Sequence, residues 1–315
     1  MKKSLLYAIL LLLVLPGSGV MAAMDQLPNF DKLWDWDHPA QSRDKFNAIL
    51  PDAEAAGNIE YLNELLTQIA RTYSLEDNFD AANGLLDRVE KQLPKQPDVA
   101  TVRYYLERGR TFNSAGSPQK ARPLFEKAFH LAHQLKADYY AIDAAHMVAI
   151  AARPLADQKK WTEVGLKLAS ESTDKRARGW RGPLANNLGW DYFDAGDYKK
   201  ALPIFQQAYD AFKESGGEKQ IHIARWTIAR CLRALGRDDE ALGIQLALLK
   251  KQQQAGTEDG YVYEELGELY LARGEKDKAS GYFGKAYKLL SSDKWMMSHE
   301  SKRMARMKKL GRVGQ

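Results

Sequence analysis

Arginine recurs in this chain at places where a fixed cation could do work. Arg71, Arg110 and Arg230 each follow a small residue, Ala70, Gly109 and Ala229, while Trp190 and Glu268 hold the same place after Gly189 and Gly267. A guanidinium offers a planar fork of donors that matches a carboxylate, and it tolerates partial desolvation better than an ammonium. The chemistry these positions predict is recognition of an anionic group, not bond making. Asp143 and His146, with Arg153 further on, come nearest to a catalytic set, but no nucleophile or group of oxyanion donors accompanies them. The six histidines are scattered, and no pair has zinc-binding spacing with companion ligands. Asp35-Trp36-Asp37-His38 reads as a helix cap ahead of Pro39 rather than a chelate. Neither a Gly-rich phosphate loop nor a nucleophile elbow is present. No enzyme activity, cofactor or metal is therefore expected, and the lone Cys231 reads as a buried structural thiol.

The elements that must position these residues repeat. Ala82, Ala121, Ala201, Ala241 and Ala279 are spaced by 39, 80, 40 and 38 residues, the 80 being a doubled period with a blurred unit inside it. Self-similarity of this length means stacked helix pairs, which present a surface. In each unit a first helix carries the small residue (Ala70, Gly109, Gly189, Ala229, Gly267), then a large one three positions on (Tyr73, Phe112, Tyr192, Leu232, Tyr270). Gly116, Gly196, Gly236 and Gly274 mark the turn. The second helix opens on the period alanine and shows, four and seven residues later, pairs such as Phe125 and Ala128, Phe205 and Ala208, or Phe283 and Ala286. Those steps return to one helical face, so the pair closes as an antiparallel hairpin. The third unit, near residues 143–172, is degenerate: Pro154 cuts its first helix short and Trp161 stands where the second should begin.

The stretch Asn187-Leu188-Gly189, Tyr192, Gly196, Tyr198, Ala201, Phe205 and Ala208, and its counterpart Leu266-Gly267, Tyr270, Gly274, Ala279, Phe283 and Ala286, resemble the tetratricopeptide repeat family. The resemblance covers six units over residues 58–292 and departs in length, the usual unit being ~34 residues and this one near 40. It implies an all-α, right-handed α-solenoid of about six helix pairs, with an N-terminal capping segment at 23–57 and a basic capping helix or tail at 293–315. It also implies that first helices line a concave groove. The stripe then lies at minus six, minus three, plus one and plus four from the small residue. On this reading Asn186, Trp190, Trp226 and Arg230 form the centre of the groove. Arg71, Arg103, Arg110, His146 and Arg153 lie to one side, and Tyr261, Glu264 and Glu268 to the other. Two alternatives stand beside it: the indoles pack between neighbouring first helices, and the arginines form internal ion pairs, Arg110 with Glu107 for example. The lysines of the family's carboxylate clamp are missing, so that activity is not carried over.

Charge and the chain ends set the partner. The formal net charge is +5. Without Lys2 and Lys3 it is 44 basic against 41 acidic residues, and the segment from Lys294 holds seven cations and only Glu300. The body is then about −3, which argues against nucleic acid. The expected partner is a protein or peptide segment, extended and acidic. Residues 1–22 read as a cleaved secretory signal, with two lysines, an apolar run from Leu5 to Leu15 and small residues before the cut, and so as export to a periplasm. The alternatives are an uncut signal anchoring the chain in the inner membrane, a basic tail touching anionic lipid, and a carrier or enzyme for a small acidic molecule.

Overall fold

The computed structural model describes residues 27–215 and 217–314; the expected signal at 1–22 lies outside them. No strand occurs among the described residues, and none of their helices is long and apolar enough to cross a membrane. The chain divides into two compact units, one ending at Ala151 and one beginning at Ala152.

The first unit opens with a 3-10 turn, Phe30–Leu33, followed by α1 (Pro39–Ala55), α2 (Ile59–Leu75), α3 (Phe79–Gln92), α4 (Val99–Ser114), α5 (Pro118–Gln134) and α6 (Asp138–Ala151). Pro39 sits at the first turn of α1, where a missing N–H costs nothing, and Phe46 from α1 is fully buried, as a capping helix requires. Helix starts are written locally. Asn58 and Asn78 accept backbone N–H bonds at the starts of α2 and α3, and Asp98 with Thr101 forms a reciprocal capping box on α4. Helices α2/α3 and α4/α5 are antiparallel pairs, and α6 packs on α5 and α4.

The second unit contains α7 (Leu155–Glu171), α8 (Lys175–Arg178), α9 (Arg181–Asp194), α10 (Tyr198–Ser215), α11 (Glu218–Ala234), α12 (Asp238–Ala255), α13 (Gly260–Ala272), α14 (Lys276–Leu290), α15 (Lys294–His299) and α16 (Ser301–Leu310). Pairs α9/α10, α11/α12 and α13/α14 follow in order, α7 packs on α9, and α16 packs on α14. The degenerate third unit is now legible. Ala149, 3% exposed, is its small residue, 40 residues from both Gly109 and Gly189, and its two helices fall on either side of the division.

Three of the pairs are locked by the same steric match. Gly109, Gly189 and Gly267 receive the rings of Phe125, Phe205 and Phe283 so closely that an added Cβ would lie within 3.0 Å of ring atoms. The small residues Ala70 and Ala229 are alanines like Ala149, and opposite these two the second helix carries Leu86 and Gln245 in place of phenylalanine. Full burial of each ring contributes about 1.5–3 kcal/mol, so the glycine–phenylalanine match holds helix to helix at near contact. The turn residues Gly116, Gly196, Gly236 and Gly274 have φ of 74–78°; in the first pair Asp77 takes that place at 58°.

The tail differs in one respect from its sequence pattern. Met304 and Met307 are buried, but the helix breaks at Glu300, so Met297 rides on the separate α15 and is 43% exposed. Arg303, a quarter exposed, and Arg306, half exposed, both turn onto α13.

Candidate functional site

Residues at the plus-one position of one first helix meet residues two to six places before the small residue of the next. In the first unit, Arg71 lies 3.6 Å from Glu107, which is 4% exposed. Arg110 donates to Glu107 at 2.5 Å and pairs with Asp143, also buried. Two guanidiniums and two carboxylates thus neutralise each other across α2, α4 and α6. Burial alone would depress the Arg110 guanidinium, yet Asp143 and Glu107 hold it above its ordinary value, while Arg71, with burial and Arg110 against it, sits below. His146 shares this cluster, and burial, helped by Arg110, lowers its pKa against the pull of Asp143.

Arg103, 5% exposed, is held by Asp31 at 2.6 Å, Glu64 at 2.9 Å and the Tyr140 hydroxyl at 2.7 Å, with its guanidinium 5.1 Å from the Phe30 ring centre. It ties the N-terminal turn to α2 and α6. Arg153 follows α6, belongs to the second unit and is exposed, its Nη1 donating to the adjacent Ala152 carbonyl. Of the residues expected on this side, then, the first unit brings together Arg71, Arg110 and His146, with Arg103 anchored by its own set of acids.

In the second unit the plus-one residue of α9, Trp190, lies 6.2 Å from Trp226 of α11, and edge-on to Phe205 at 5.3 Å. The Trp226 indole N–H donates to the Tyr261 carbonyl at 3.1 Å, and its ring meets Tyr261 at 5.8 Å. Over this row sits Arg230, 5.4 Å from Trp226 and 6.0 Å from Trp190, a cation on an aromatic floor. Both indoles are half-buried, so each is packed and still presents an edge. Arg230 meets Glu265 at 3.2 Å, and Arg233 clasps the same carboxylate at 2.7 and 3.0 Å. Glu265 is 1% exposed and serves both arginines, which are each about a quarter exposed. One positive charge is left over. Asn186, half-buried on α9, has a buried side-chain oxygen with no hydrogen-bond partner among the described residues.

Glu268 carries the plus-one position of the last pair, and it is taken: Arg306 of α16 forks onto it, while Arg303 clasps Glu264 at 2.7 and 2.5 Å. The capping helix supplies the side chains that a further first helix would have supplied.

Three features escaped sequence reasoning. Glu265 stands two residues before the small residue, as does Glu107, the expected alternative partner of Arg110, and that position is outside the expected stripe. Arg233 stands at plus four, within the stripe. The run Lys175-Arg176-Ala177-Arg178-Gly179-Trp180-Arg181 holds four cations in seven residues, a local signal lost when charge is summed over the body. Cys231 is buried, and burial pushes its thiol up to about 11, as expected of a structural cysteine.

No curated protein matches the sequence. Among solved structures, the apo form of RapI is similar with a TM-score of 0.70 at 15% identity, over 87% of this chain and 77% of that one. A signal-transduction ATPase with a tetratricopeptide repeat sensor from Pyrococcus horikoshii is similar with a TM-score of 0.68 at 14% identity, over 90% of this chain and 45% of that one. The C-terminal part of a tetratricopeptide repeat-containing protein from Cytophaga hutchinsonii is similar with a TM-score of 0.55 at 15% identity, over 87% and 96%. A Rap protein complexed with competence and sporulation factor is similar with a TM-score of 0.52 at 14% identity. These likenesses concern the fold: all-α, built of consecutive helix pairs. Residues 186–256 match the tetratricopeptide repeat family, and the same helix-pair plan runs through both units, so the chain is a helical-repeat protein with a tetratricopeptide segment in its second unit.

Proposed function

We propose that this protein is a non-catalytic interaction scaffold that binds an extended acidic segment of a protein partner on the first-helix face of its second unit. The observation that supports the reading is the shared counter-ion. Arg230 and Arg233 have one buried carboxylate between them, so a surplus positive charge lies over the Trp190–Trp226 floor. Tryptophan and arginine together are the residue types that dominate binding energy at interfaces. Arg71 and Arg110 in the first unit are fully matched by Glu107 and Asp143, so they serve as ties between helices, and the acidic partner is assigned to the second unit. The Rap protein complexed with competence and sporulation factor is a structural relative that holds another molecule, which accords with this use of the fold. We further propose export, with residues 1–22 as a cleaved signal and the periplasm as destination.

Fluorescence anisotropy of labelled peptides tests the reading. Peptides rich in Asp and Glu around an aliphatic residue bind the wild type more tightly than basic peptides of equal length, and R233E with W190A weakens them. Equal binding of acidic and basic peptides, or indifference to both substitutions, overturns it. Of the tail's seven cations, Arg303, Arg306 and Arg312 are paired with Glu264, Glu268 and Asp277, while Lys294, Lys302, Lys308 and Lys309 are exposed.

A further inference from the structure

The connector between α7 and α9 carries a dense run of positive charge, and it lies outside the first-helix stripe. Lys175, Arg176 and Arg178 lie on the short α8, and Arg181 opens α9 two residues after Gly179. Asp174, whose carboxylate caps the turn by accepting from the Arg176 N–H at 2.8 Å, offsets one of the four charges. A cleft of about 360 Å³ opens here, lined among others by Thr173, Lys175, Arg178, Arg181, Glu214 and Ser215.

Glu214, on α10, organises the cations. It pairs with Arg181 and lies 3.9 Å from Arg178, so one carboxylate holds two guanidiniums side by side. Arg181 is further fixed by donation from its Nε to the Arg178 carbonyl at 3.2 Å, and it is only a quarter exposed. Arg178 is half exposed, and its fork keeps donors for a ligand. Three cations against one carboxylate leave the cleft positive, with Thr173 on its wall. Planar forks beside a point charge match the tetrahedral oxyanion of a phosphate. The patch is short, and Asp210 joins Glu214 in an adjoining cleft of about 380 Å³. Those acids repel a continuous polyanion, so one phosphate group is the unit that fits.

We propose that this cleft binds a phosphate group, carried by a lipid headgroup or a soluble phosphoester, with Lys175 and Arg178 contacting the oxyanion directly and Arg181 as the fixed third cation. The inference is independent of the peptide-binding reading, which uses other residues. The test titrates the full chain with inorganic phosphate at constant ionic strength, reading the side-chain Nε–Hε signals of Arg178 and Arg181 by NMR, with chloride as the comparison. In parallel, sedimentation compares vesicles of phosphatidylcholine alone with vesicles containing phosphatidylglycerol.

Saturable shifts with phosphate and none with chloride are expected. K175E/R178E weakens binding about tenfold or more, whereas K91E/K95E, which changes net charge equally on the first unit, leaves it unchanged. Vesicle binding that K175E/R178E abolishes identifies the headgroup as the source; phosphate binding without vesicle binding identifies a soluble phosphoester. Absence of saturable shifts, or equal loss in both double variants, overturns the proposal.

Discussion

Gln245 is the most informative residue to replace. Its position in the repeat is held by Leu86, Phe125, Phe205 and Phe283 in other pairs, and like them it is fully buried. Both polar atoms of its side chain lack a hydrogen-bond partner among the described residues. A buried amide without a partner costs about 1–3 kcal/mol by mutational measures, and a leucine of similar volume would add apolar contact instead. Q245L should therefore stabilise the second unit by about 1–3 kcal/mol, which for ~160 residues raises the melting temperature by about 2–4 °C per kcal/mol. Q245F should do the reverse. The repeat sets Ala229, not glycine, opposite position 245, and an added Cβ at the glycines facing phenylalanine would lie within 3.0 Å of the ring. Such overpacking costs about 1–3 kcal/mol. Adding A229G to Q245F restores the glycine–phenylalanine match, so the two changes should couple favourably in a double-mutant cycle. Urea unfolding of the four proteins supplies the numbers. A Q245L protein less stable than wild type, or strict additivity of A229G and Q245F, would refute the reasoning.

Other outcomes follow from the paired charges. His146 has a lowered folded pKa, so the unfolded chain binds its proton more readily, and stability present above about pH 6.5 is lost as pH falls toward the folded value; H146Q should flatten that slope in pH-dependent urea midpoints. Removing the shared carboxylate with E265A leaves two partly buried guanidiniums unmatched and should cost about 2–4 kcal/mol, read by chemical denaturation, while E265Q costs less. Cys231, buried and with its thiol pushed up to about 11, should resist alkylation at pH 8 in the folded protein and react at once in denaturant.

The helix pairs were legible because each rests on local choices: a small residue, a ring three to four turns away in the partner helix, a glycine or aspartate at the positive-φ turn. Within the second unit, periodicity alone assigns Trp190 and Arg230 to one stripe, and there the Arg230 guanidinium lies 6.0 Å from the Trp190 ring. What those side chains touch was not legible. Pairing of Arg71 with Glu107 or Arg230 with Glu265 joins residues about one repeat apart, and a single chain gives no sign of which acid answers which base. The tail was half legible: its methionines announced a buried face, but the break at Glu300, set by backbone geometry, and the turning of Arg303 and Arg306 onto α13 depended on tertiary contact. The basic connector went unnoticed because net charge was weighed over the whole body and not in a short window.

Gly284 on α14 and Gly311 at the end of α16 meet main chain to main chain; a Cβ on Gly311 would lie 2.6 Å from the Gly284 nitrogen. This clasp bears on how such an array can lengthen in evolution. A duplication inside the series slips a new pair between existing ones and leaves the closing contact intact. An addition at the far end must prise α16 away, forfeiting the glycine crossing together with the forks on Glu264 and Glu268. Growth from within is the route this architecture leaves open.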